Sequence, residues 1–422
     1  MKPLTQRVVG LGALLMATIA CTPAEPPVGE QGAVEAPTWV GTITTEGSVT
    51  TVVNRSGSLW DGEATLAEDL SIGVEAGDEP YLLGRVAGLG VASGRIFVLD
   101  AQVLRVRVYD LNGAHLMDLG GEGDGPGEFR RPTALAVGSE RVFVRDPQLG
   151  RITVFSRSGE LLDTWPTAAF FTPVPIVATV GDGLFVPARG GMAPHGPEGV
   201  AGPTIPRPSF AFTPPTMSIR ITEDIPGYSS GAMLAQPVPF WPVPTWALAP
   251  TGAMVFGDAD TYRFTVEKPE GSRLVVESHY EPVAVEAEEA DWHRSRVRQY
   301  LRQADPSWQW EGPEIPATKP AYQDLVPARS GEVWVVRPGP GYLTAGCEAM
   351  GVLEAPETCW SDTRIVEVFG ADGRLSGRVA VPPDLAFVPR PVIDAETLVA
   401  VVVDAAGTIM VKRYRLVAPA RE

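Results

Sequence analysis

The chain has 422 residues, 44% of them hydrophobic, and a formal net charge of −17. This hydrophobic content excludes a disordered polymer, and so acidic a surface without a lysine and arginine stripe excludes a nucleic-acid-binding protein. Glycine and proline contribute 45 and 41 residues without a collagen-like period, which indicates turns between many short strands.

Residues 1–21 have the pattern of an export signal. Lys2 and Arg7 precede an apolar run over 8–20, which is too short to span a bilayer and has the length of a secretory signal. The run ends in the sequence TIAC, which resembles a bacterial lipobox and implies lipidation of Cys21. An ordinary signal peptide with an unrelated cysteine is the alternative.

The segment after the signal is predicted to be a tether. Residues 22–38 are rich in proline and contain no aromatic side chain, which favours an extended chain. We therefore expect an exported, monomeric protein of a bacterial cell envelope, facing the periplasm or the cell surface. Its folded domain is predicted over 39–418, and its contact with the membrane is a lipid anchor only.

Residues 77–113 and 123–159 are two copies of one pattern. Asp78 and Asp124 begin equivalent Asp-x-Pro triplets 46 residues apart, and neither copy needs a gap. Each copy divides into four short runs of alternating residues separated by turn signals, which predicts four antiparallel strands. A period in this range with four strands per unit is typical of a propeller blade.

Four more divergent units follow, so we predict an all-β fold, a six-bladed β-propeller of four-stranded antiparallel blades. The sixth unit, over 389–417, is short of strands. Because a ring has no exposed sheet edge when one terminus completes the last blade, we expect a strand within 41–73 to join this unit. Insertions are predicted over 187–217, 284–305 and 338–362, and the first is expected to be a long ordered loop because of its proline and glycine content.

Two of these insertions carry further structure. Glu286–Ala304 contains no glycine or proline and has its acids early and its arginines late, which predicts one inserted helix. We expect this helix to pack on the propeller rim; a partner-binding helix is the alternative. Cys347 and Cys359 are a close pair, and in an oxidising compartment such a pair predicts a disulfide.

A resemblance to a known family rests on three segments. GEGDGPGEF at Gly121–Phe129, RVRVYDLNGAHL at Arg105–Leu116 and RITVFSRSGELL at Arg151–Leu162 resemble the NHL-type six-bladed propellers. They are most similar to the exported bacterial group of six-bladed β-propeller proteins. The resemblance implies the fold and export. It implies no single activity, because the relatives of NHL propellers include lyases, lactonases, and binding or sensory modules.

The glycine-rich run over 121–129 is the first candidate site. It lacks the lysine and the following helix of a phosphate-binding loop, so we interpret it as a connection between two blades. An inner strand that lines the channel follows it, and we expect its charged residues at the channel mouth. Aromatic residues of the fourth and fifth blades either pack against the rim or line a carbohydrate or peptide groove. The candidate ligand-binding residues are Asp124, Glu128, Arg130, Arg131, Trp241 and Tyr322.

Repeated polar residues have a structural interpretation. Asp100 and Asp146 occupy equivalent positions and are predicted to bond backbone amides at the turn after the second strand. Arg105 and Arg151 are predicted to pair with these carboxylates or with neighbouring carbonyls.

No catalytic motif is found. The four histidines form no local zinc motif, and there is no G-x-S-x-G nucleophile elbow. We therefore expect no catalytic residue, metal or cofactor, and predict a membrane-tethered extracytoplasmic module that binds a peptide, a protein or a small ligand. The alternative is a metal-dependent hydrolase or lyase with its site at the mouth of the central channel.

Overall fold

The computed structural model describes residues 38–167, 175–188, 191–210, 213–345, 347, 349–350 and 353–419. The predicted export signal, Cys21 and the tether up to residue 37 lie outside the described residues. Three strands precede the first blade: β1 (Val40–Glu46), β2 (Val49–Ser56) and β3 (Ala64–Ile72).

The repeat of the sequence is a repeat of the structure. Blade 1 consists of β4 (Val86–Ala92), β5 (Arg95–Asp100), β6 (Arg105–Asp110) and β7 (His115–Leu119). Blade 2 consists of β8 (Ala134–Val137), β9 (Arg141–Asp146), β10 (Arg151–Ser156) and β11 (Leu161–Pro166). Both are antiparallel four-stranded meanders in chain order, and their second, third and fourth strands begin 46 residues apart.

Blade 3 extends into the segment that was expected to be a loop over 187–217. It consists of β12 (Val177–Ala178), β13 (Leu184–Ala188), β14 (Gly191–Gly196), β15 (Gly199–Val200) and β16 (Ile205–Pro206). The expectation of a loop is wrong here because a glycine allows two strands to approach each other closely and does not form a turn. A side chain at Gly191 would lie 2.0 Å from the Ile205 carbonyl oxygen of the paired strand.

Blade 4 is widened by the N-terminal hairpin. Outside the blades, β17 (Thr216–Arg220) and β18 (Met233–Pro237) first form a separate two-stranded sheet. Blade 4 then consists of β19 (Thr245–Leu248), β20 (Met254–Gly257), β21 (Arg263–Glu267) and β22 (Arg273–Ser278). Strand β2 pairs in parallel with the outer strand β22, and β1 pairs with β2, so this sheet has six strands.

The predicted helix is confirmed as α1 (Ala287–Leu301), with acidic residues in its first turn. In the described part of the chain, no helix is long and apolar enough to cross a membrane. Blade 5 follows with β23 (Asp324–Pro327), β24 (Val333–Thr344), β25 (Cys359–Phe369) and β26 (Leu375–Ala380). Much of the third predicted insertion is a continuation of the β24–β25 hairpin. The predicted disulfide between Cys347 and Cys359 is confirmed at its far end.

Blade 6 is completed by an N-terminal strand, as predicted. It consists of β27 (Val392–Asp394), β28 (Thr397–Val403) and β29 (Ile409–Val417), with β3 as the outer strand. Strand β3 pairs antiparallel with β29 from Thr65 to Ile72, and its first residues pair in parallel with the end of β26 in blade 5. One strand therefore closes blade 6 and joins it to blade 5.

Apolar clusters fill the seams between neighbouring blades. Each fully buried large apolar side chain stabilises the fold by about 1.5–3 kcal/mol relative to exposure. Within the described residues, the seams run continuously from blade 1 through blade 6 and back to blade 1, so the ring is closed. Representative members, one from each side of a seam in this order, are Phe97 and Leu135, Phe143 and Leu184, Met192 and Leu248, Val255 and Leu325, Val366 and Leu398, and Val401 and Leu89.

The repeated aspartates have the predicted structural role. The Asp146 carboxylate accepts hydrogen bonds from four backbone amides and the Asp100 carboxylate from three. These amides lie in the turn after the second strand and in the segment that leads into the first strand. Arg151 donates to three neighbouring backbone carbonyls, as predicted, whereas Arg105 pairs with Asp118.

Arg329 crosses the ring at the end where the inner strands finish. It follows β23 of blade 5, and its guanidinium donates to the carbonyl oxygens of Val91 in blade 1 and Val137 in blade 2. Its backbone amide donates to Ile393 of blade 6. Burial lowers the pKa of Arg329, and Asp394 opposes that shift. Through its side chain and its backbone, this one residue of blade 5 thus contacts blades 1, 2 and 6 at this end of the channel.

Candidate functional site

A cavity of about 680 Å³ opens at the face of the ring where the inner strands begin. We call it the blade 4–5 cavity, because its walls are the segment leading into β19, helix α1, the segment leading into β23 and the β24–β25 hairpin. These walls come from parts of the chain far apart in sequence. The volume lies within the range of sites that enclose a small organic ligand.

A proline-rich segment builds one wall. Residues 237–244 read PVPFWPVP, and the four prolines have no amide to donate in strand pairing. The segment turns at Phe240, where the Trp241 amide donates to the Val238 carbonyl. Phe240 adopts a φ of +58°, which is uncommon for an aromatic residue and costs roughly 1 kcal/mol or more. Its ring packs against His293 of α1, with the two centroids 4.8 Å apart. The segment therefore presents Phe240 to the cavity in a strained conformation.

Aromatic rings dominate the opposite wall as well. The His293 ring makes an edge contact with Trp292 at a centroid distance of 4.8 Å, and the planes are inclined by 86°. Trp241 lines the same cavity. Edge-to-face contacts of this kind contribute about 0.5–1.5 kcal/mol each beyond area burial. The rings therefore form a preorganised surface.

A buried ion cluster of Lys319, Glu289 and Asp362, which we call the floor, lies behind the cavity, and Asp362 is its member in the lining. The Nζ atom of Lys319 lies 2.8 Å from Oε1 of Glu289 and 2.5 Å from Oδ1 of Asp362, and it donates to the Gly339 carbonyl at 3.2 Å. The side chains of Lys319 and Glu289 are fully buried, and Asp362 lines the cavity. Because Glu289 belongs to α1 and Asp362 to β25, this ammonium fastens the helix and the hairpin to the ring.

His293 is a neutral side chain within this wall at neutral pH. Burial lowers its pKa to about 4; the nearby Asp362 raises the pKa and the Lys319 ammonium lowers it further. Among the described residues, the His293 ring has aromatic contacts and no hydrogen-bond partner. Its imidazole is therefore available to a ligand.

We expect His293 to make stability depend on pH. Because its pKa is lower in the folded chain than in the unfolded chain, the unfolded state takes up the proton first as the pH falls. The free energy of unfolding should decrease by on the order of 2 kcal/mol between pH 6.5 and pH 4 through this group. Urea unfolding of wild type and His293→Gln across this range measures it. If the free energy of unfolding depended on pH in the same way in both proteins, the pH dependence would not come from His293.

Two of the sequence-predicted residues reach the cavity. Trp241 and Tyr322 both line it, beside the first residues of the inner strands β19 and β23. Tyr322 is only 1% exposed, and its hydroxyl donates to the Arg263 carbonyl and accepts from the Ala259 amide. Tyr322 is therefore a supporting wall, whereas Trp241 offers a surface.

The four charged candidates lie elsewhere, on the connection between β7 and β8. Arg130 pairs with Asp124 at 2.8 Å, and Oε2 of Glu128 accepts the Gly125 amide at 2.7 Å. Arg151, at the start of the third strand of blade 2, donates to the backbone carbonyls of this loop. The loop therefore lies over the outer strands of blade 2, and this corrects the expectation that Asp124 and Glu128 sit at the channel mouth.

The two arginines among these four candidates are also anchored by their backbone. The amides of Arg130 and Arg131 both donate to Oδ2 of Asp146, at 2.7 and 2.8 Å. The structure does not bring any of the four charged residues to the cavity that Trp241 and Tyr322 line.

Metal ligands do not converge in the described part of the chain. No group of three or more His, Cys, Asp or Glu residues there could hold a metal ion. His115 pairs with Asp118, His195 contacts the Pro166 carbonyl oxygen, and His293 lies in α1. The metal-dependent alternative therefore has no ligand cluster among these residues.

A second cavity, of about 440 Å³, lies beside the segment between β2 and β3. Its buried carboxylate, Glu367, accepts hydrogen bonds from Tyr262 at 2.6 Å, from Arg378 at 3.1 Å and from Arg337 at 3.4 Å. Because these partners already satisfy the Glu367 carboxylate, this group is less available to a ligand than the polar groups of the blade 4–5 cavity are.

Most of the cavity was not predicted from the sequence. Phe240, Trp292, His293, Lys319 and Asp362 follow no common motif. One usable signal was the rarity of lysine, because Lys319 is one of four lysines in the chain. A single lysine between prolines in an arginine-rich protein suggests a specific contact.

Comparison with known proteins supports the fold. A family model described as "6-bladed beta-propeller" matches residues 75–183, which contain blades 1 and 2 and the start of blade 3. Together with the closed ring of seams, this match defines the chain as a six-bladed β-propeller. No curated protein matches the sequence.

Three solved structures from bacteria have a similar arrangement. A DUF4221 family member from Bacteroides vulgatus has 11% identity and a TM-score of 0.46, with 85% of this chain and 99% of that chain covered. A protein from Bacteroides fragilis described as exported has 9% identity and a TM-score of 0.43, with 86% of this chain and 99% of that chain covered. An inactive virginiamycin B lyase from Staphylococcus aureus with quinupristin has 9% identity and a TM-score of 0.33, with 78% of this chain and 94% of that chain covered. These identities and TM-scores carry no activity over to this chain.

Proposed function

We propose that this chain is an extracytoplasmic binding module that holds a small ligand, or a short segment of a peptide or protein, in the blade 4–5 cavity. The single observation that carries this proposal is the cavity itself, about 680 Å³ in volume, with aromatic walls and few polar groups. Ligand sites are typically concave, largely apolar and equipped with a few placed polar groups. Here those groups belong to Gln236, His293, Arg296, Gln323 and Asp362.

The rigidity of the walls supports a binding role. The buried cluster around Lys319 holds α1 and the β24–β25 hairpin, and the disulfide between Cys347 and Cys359 closes that hairpin. A preformed site loses less conformational entropy when it binds a ligand than a flexible one does. The propeller thus acts as a scaffold that carries the site between two blades.

The proposed location follows from the N-terminal sequence. Residues 1–21 direct export, Cys21 receives the lipid, and 22–38 tether a monomeric domain over 39–418 to a membrane surface. Palmitate labelling of the expressed chain tests this: label that is lost in Cys21→Ser supports the anchor, and an unlabelled wild-type chain argues against it.

Binding at the cavity is tested by tryptophan fluorescence and isothermal titration calorimetry. The probes are maltotriose, a Gly-Leu-Gly tripeptide and choline. We expect at least one to bind, and Trp241→Ala to weaken that binding by about tenfold or more because the contact of the ligand with the face of the indole is lost with the ring. Trp60→Ala is the matched control, because Trp60 lines the second cavity. If no probe binds, or if both variants bind like wild type, the proposal is wrong.

A further inference from the structure

We propose that the blade 4–5 cavity selects a ligand bearing an organic ammonium group, held between the aromatic walls and the Asp362 carboxylate. This inference rests on the proposed function, since it names the chemical class of ligand for the same cavity. Three independent features of the cavity point to it: an excess of carboxylate over ammonium in the floor, aromatic faces, and a neutral acceptor at the wall.

The floor holds two carboxylates for one ammonium. Lys319 neutralises one negative charge, and a second one remains on Glu289 and Asp362 together. Oε2 of Glu289 is buried and has no hydrogen-bond partner among the described residues. Asp362 lines the cavity, and among the described residues its Oδ2 atom accepts a hydrogen bond only from the Gln323 amide, at 3.3 Å. A cation that enters the cavity meets this excess charge in a partly desolvated setting, where charge attraction is stronger than in water.

The aromatic walls suit a cation in the same place. Lys319 itself shows this, because its Nζ atom lies 5.2 Å from the centroid of the Phe240 ring. Trp241 and Trp292 line the cavity beside Phe240, and indole has the strongest attraction for a cation among the aromatic side chains. A ligand ammonium can therefore contact ring faces while Asp362 supplies the opposite charge.

Of the remaining polar groups, His293 favours a cation and Arg296 opposes it. The His293 imidazole is neutral at neutral pH because burial lowers its pKa to about 4, so a ring nitrogen can accept a hydrogen bond. Arg296 is the positively charged residue of the lining, and its two terminal nitrogens donate to the uncharged side-chain oxygen of Gln299 and to the Glu354 carbonyl. Its charge therefore opposes a bound cation, and the aromatic faces and Asp362 must outweigh it. The chain as a whole carries a formal charge of −17, which favours the approach of cations.

The test compares ligands of one shape and different charge on the wild-type protein. Choline carries a quaternary ammonium, 3,3-dimethyl-1-butanol is its neutral isostere, and 3,3-dimethylbutyrate is an anion of similar size. We expect choline to bind about tenfold or more tightly than the alcohol, and the butyrate to bind weakest. Isothermal titration calorimetry measures the affinities, and this comparison needs no variant.

Two variants separate the charge from the rings. Asp362→Asn should remove most of the preference for choline over the alcohol, whereas Trp241→Ala should weaken both ligands. Trp60→Ala should change neither. Circular dichroism establishes that each variant is folded, and the wild-type ligand comparison stands whether or not Asp362→Asn folds.

The outcomes distinguish this inference from the proposed function. Equal affinity for choline and the alcohol overturns the inference and leaves a binding cavity. Binding of maltotriose or the tripeptide without binding of choline, lost in Trp241→Ala, also overturns the inference and supports the proposed function. Binding of no probe overturns both. Tight choline binding that Trp241→Ala leaves unchanged places the cation elsewhere and likewise overturns the inference.

Discussion

Replacing Lys319 with methionine should lower the free energy of unfolding by about 3–5 kcal/mol. The ammonium of Lys319 is fully buried and contacts both Glu289 and Asp362. Methionine keeps most of the side-chain volume but leaves two carboxylates without a counter-charge in the interior. Urea unfolding followed by circular dichroism measures the loss.

Two comparisons show that the loss arises from buried charge. Lys412→Met removes the partner of the half-exposed Glu68 and should cost less than about 1 kcal/mol, as exposed pairs do. The triple variant Glu289→Gln, Lys319→Met, Asp362→Asn removes all three charges and should recover a large part of the loss. A small effect of Lys319→Met, similar to that of Lys412→Met, would show that the cluster is well hydrated.

Removing strand β3 should abolish cooperative folding of the ring. Strand β3 supplies the outer edge of blade 6 and pairs with blade 5, and its Ala64 and Ile72 are buried in two different seams. The loss of its backbone pairing and apolar contacts should cost on the order of 5 kcal/mol or more, a large part of the stability of an ordinary domain. Blade 6 would also expose the edge of β29, which favours aggregation.

Three chains of different length isolate this effect. A chain beginning at residue 38 is the reference, one beginning at residue 58 lacks β1 and β2, and one beginning at residue 74 also lacks β3. Calorimetry should give a sharp transition for the first, a transition at lower temperature for the second and no cooperative transition for the third. A peptide of residues 58–73 should restore part of the transition. Equal transitions for the second and third chains would show that the ring closes without β3.

Local patterns allowed most of the blades to be predicted. The alternation and turn signals of blades 1 and 2 describe antiparallel strands whose neighbours follow directly in sequence, so no long-range information was needed. The helix α1 was predictable because the order of its acidic and basic residues matches its own dipole. The closing strand was inferred from a missing strand in blade 6 and an unassigned segment at the other end of the chain.

The errors occurred where one residue type serves two purposes. Glycine and proline in blade 3 were interpreted as loop residues, yet Gly191 lies within β14, where its missing side chain lets β16 approach. The glycine-rich loop over 121–129 was correctly interpreted as a connection between blades. Its path over the outer strands depends on Arg151, whose contacts the sequence does not reveal.

By itself, the sequence determined the blade repeat, the strand that completes blade 6, the helix and the disulfide, because each follows from patterns within one segment or from the number of strands per blade. Only the tertiary structure decided where a ligand can bind. Phe240, His293, Lys319 and Asp362 come from four separate segments, and they meet because blades 4 and 5 are neighbours in the ring. Burial then sets their chemistry: it makes the histidine neutral and leaves a buried floor with more carboxylate than ammonium.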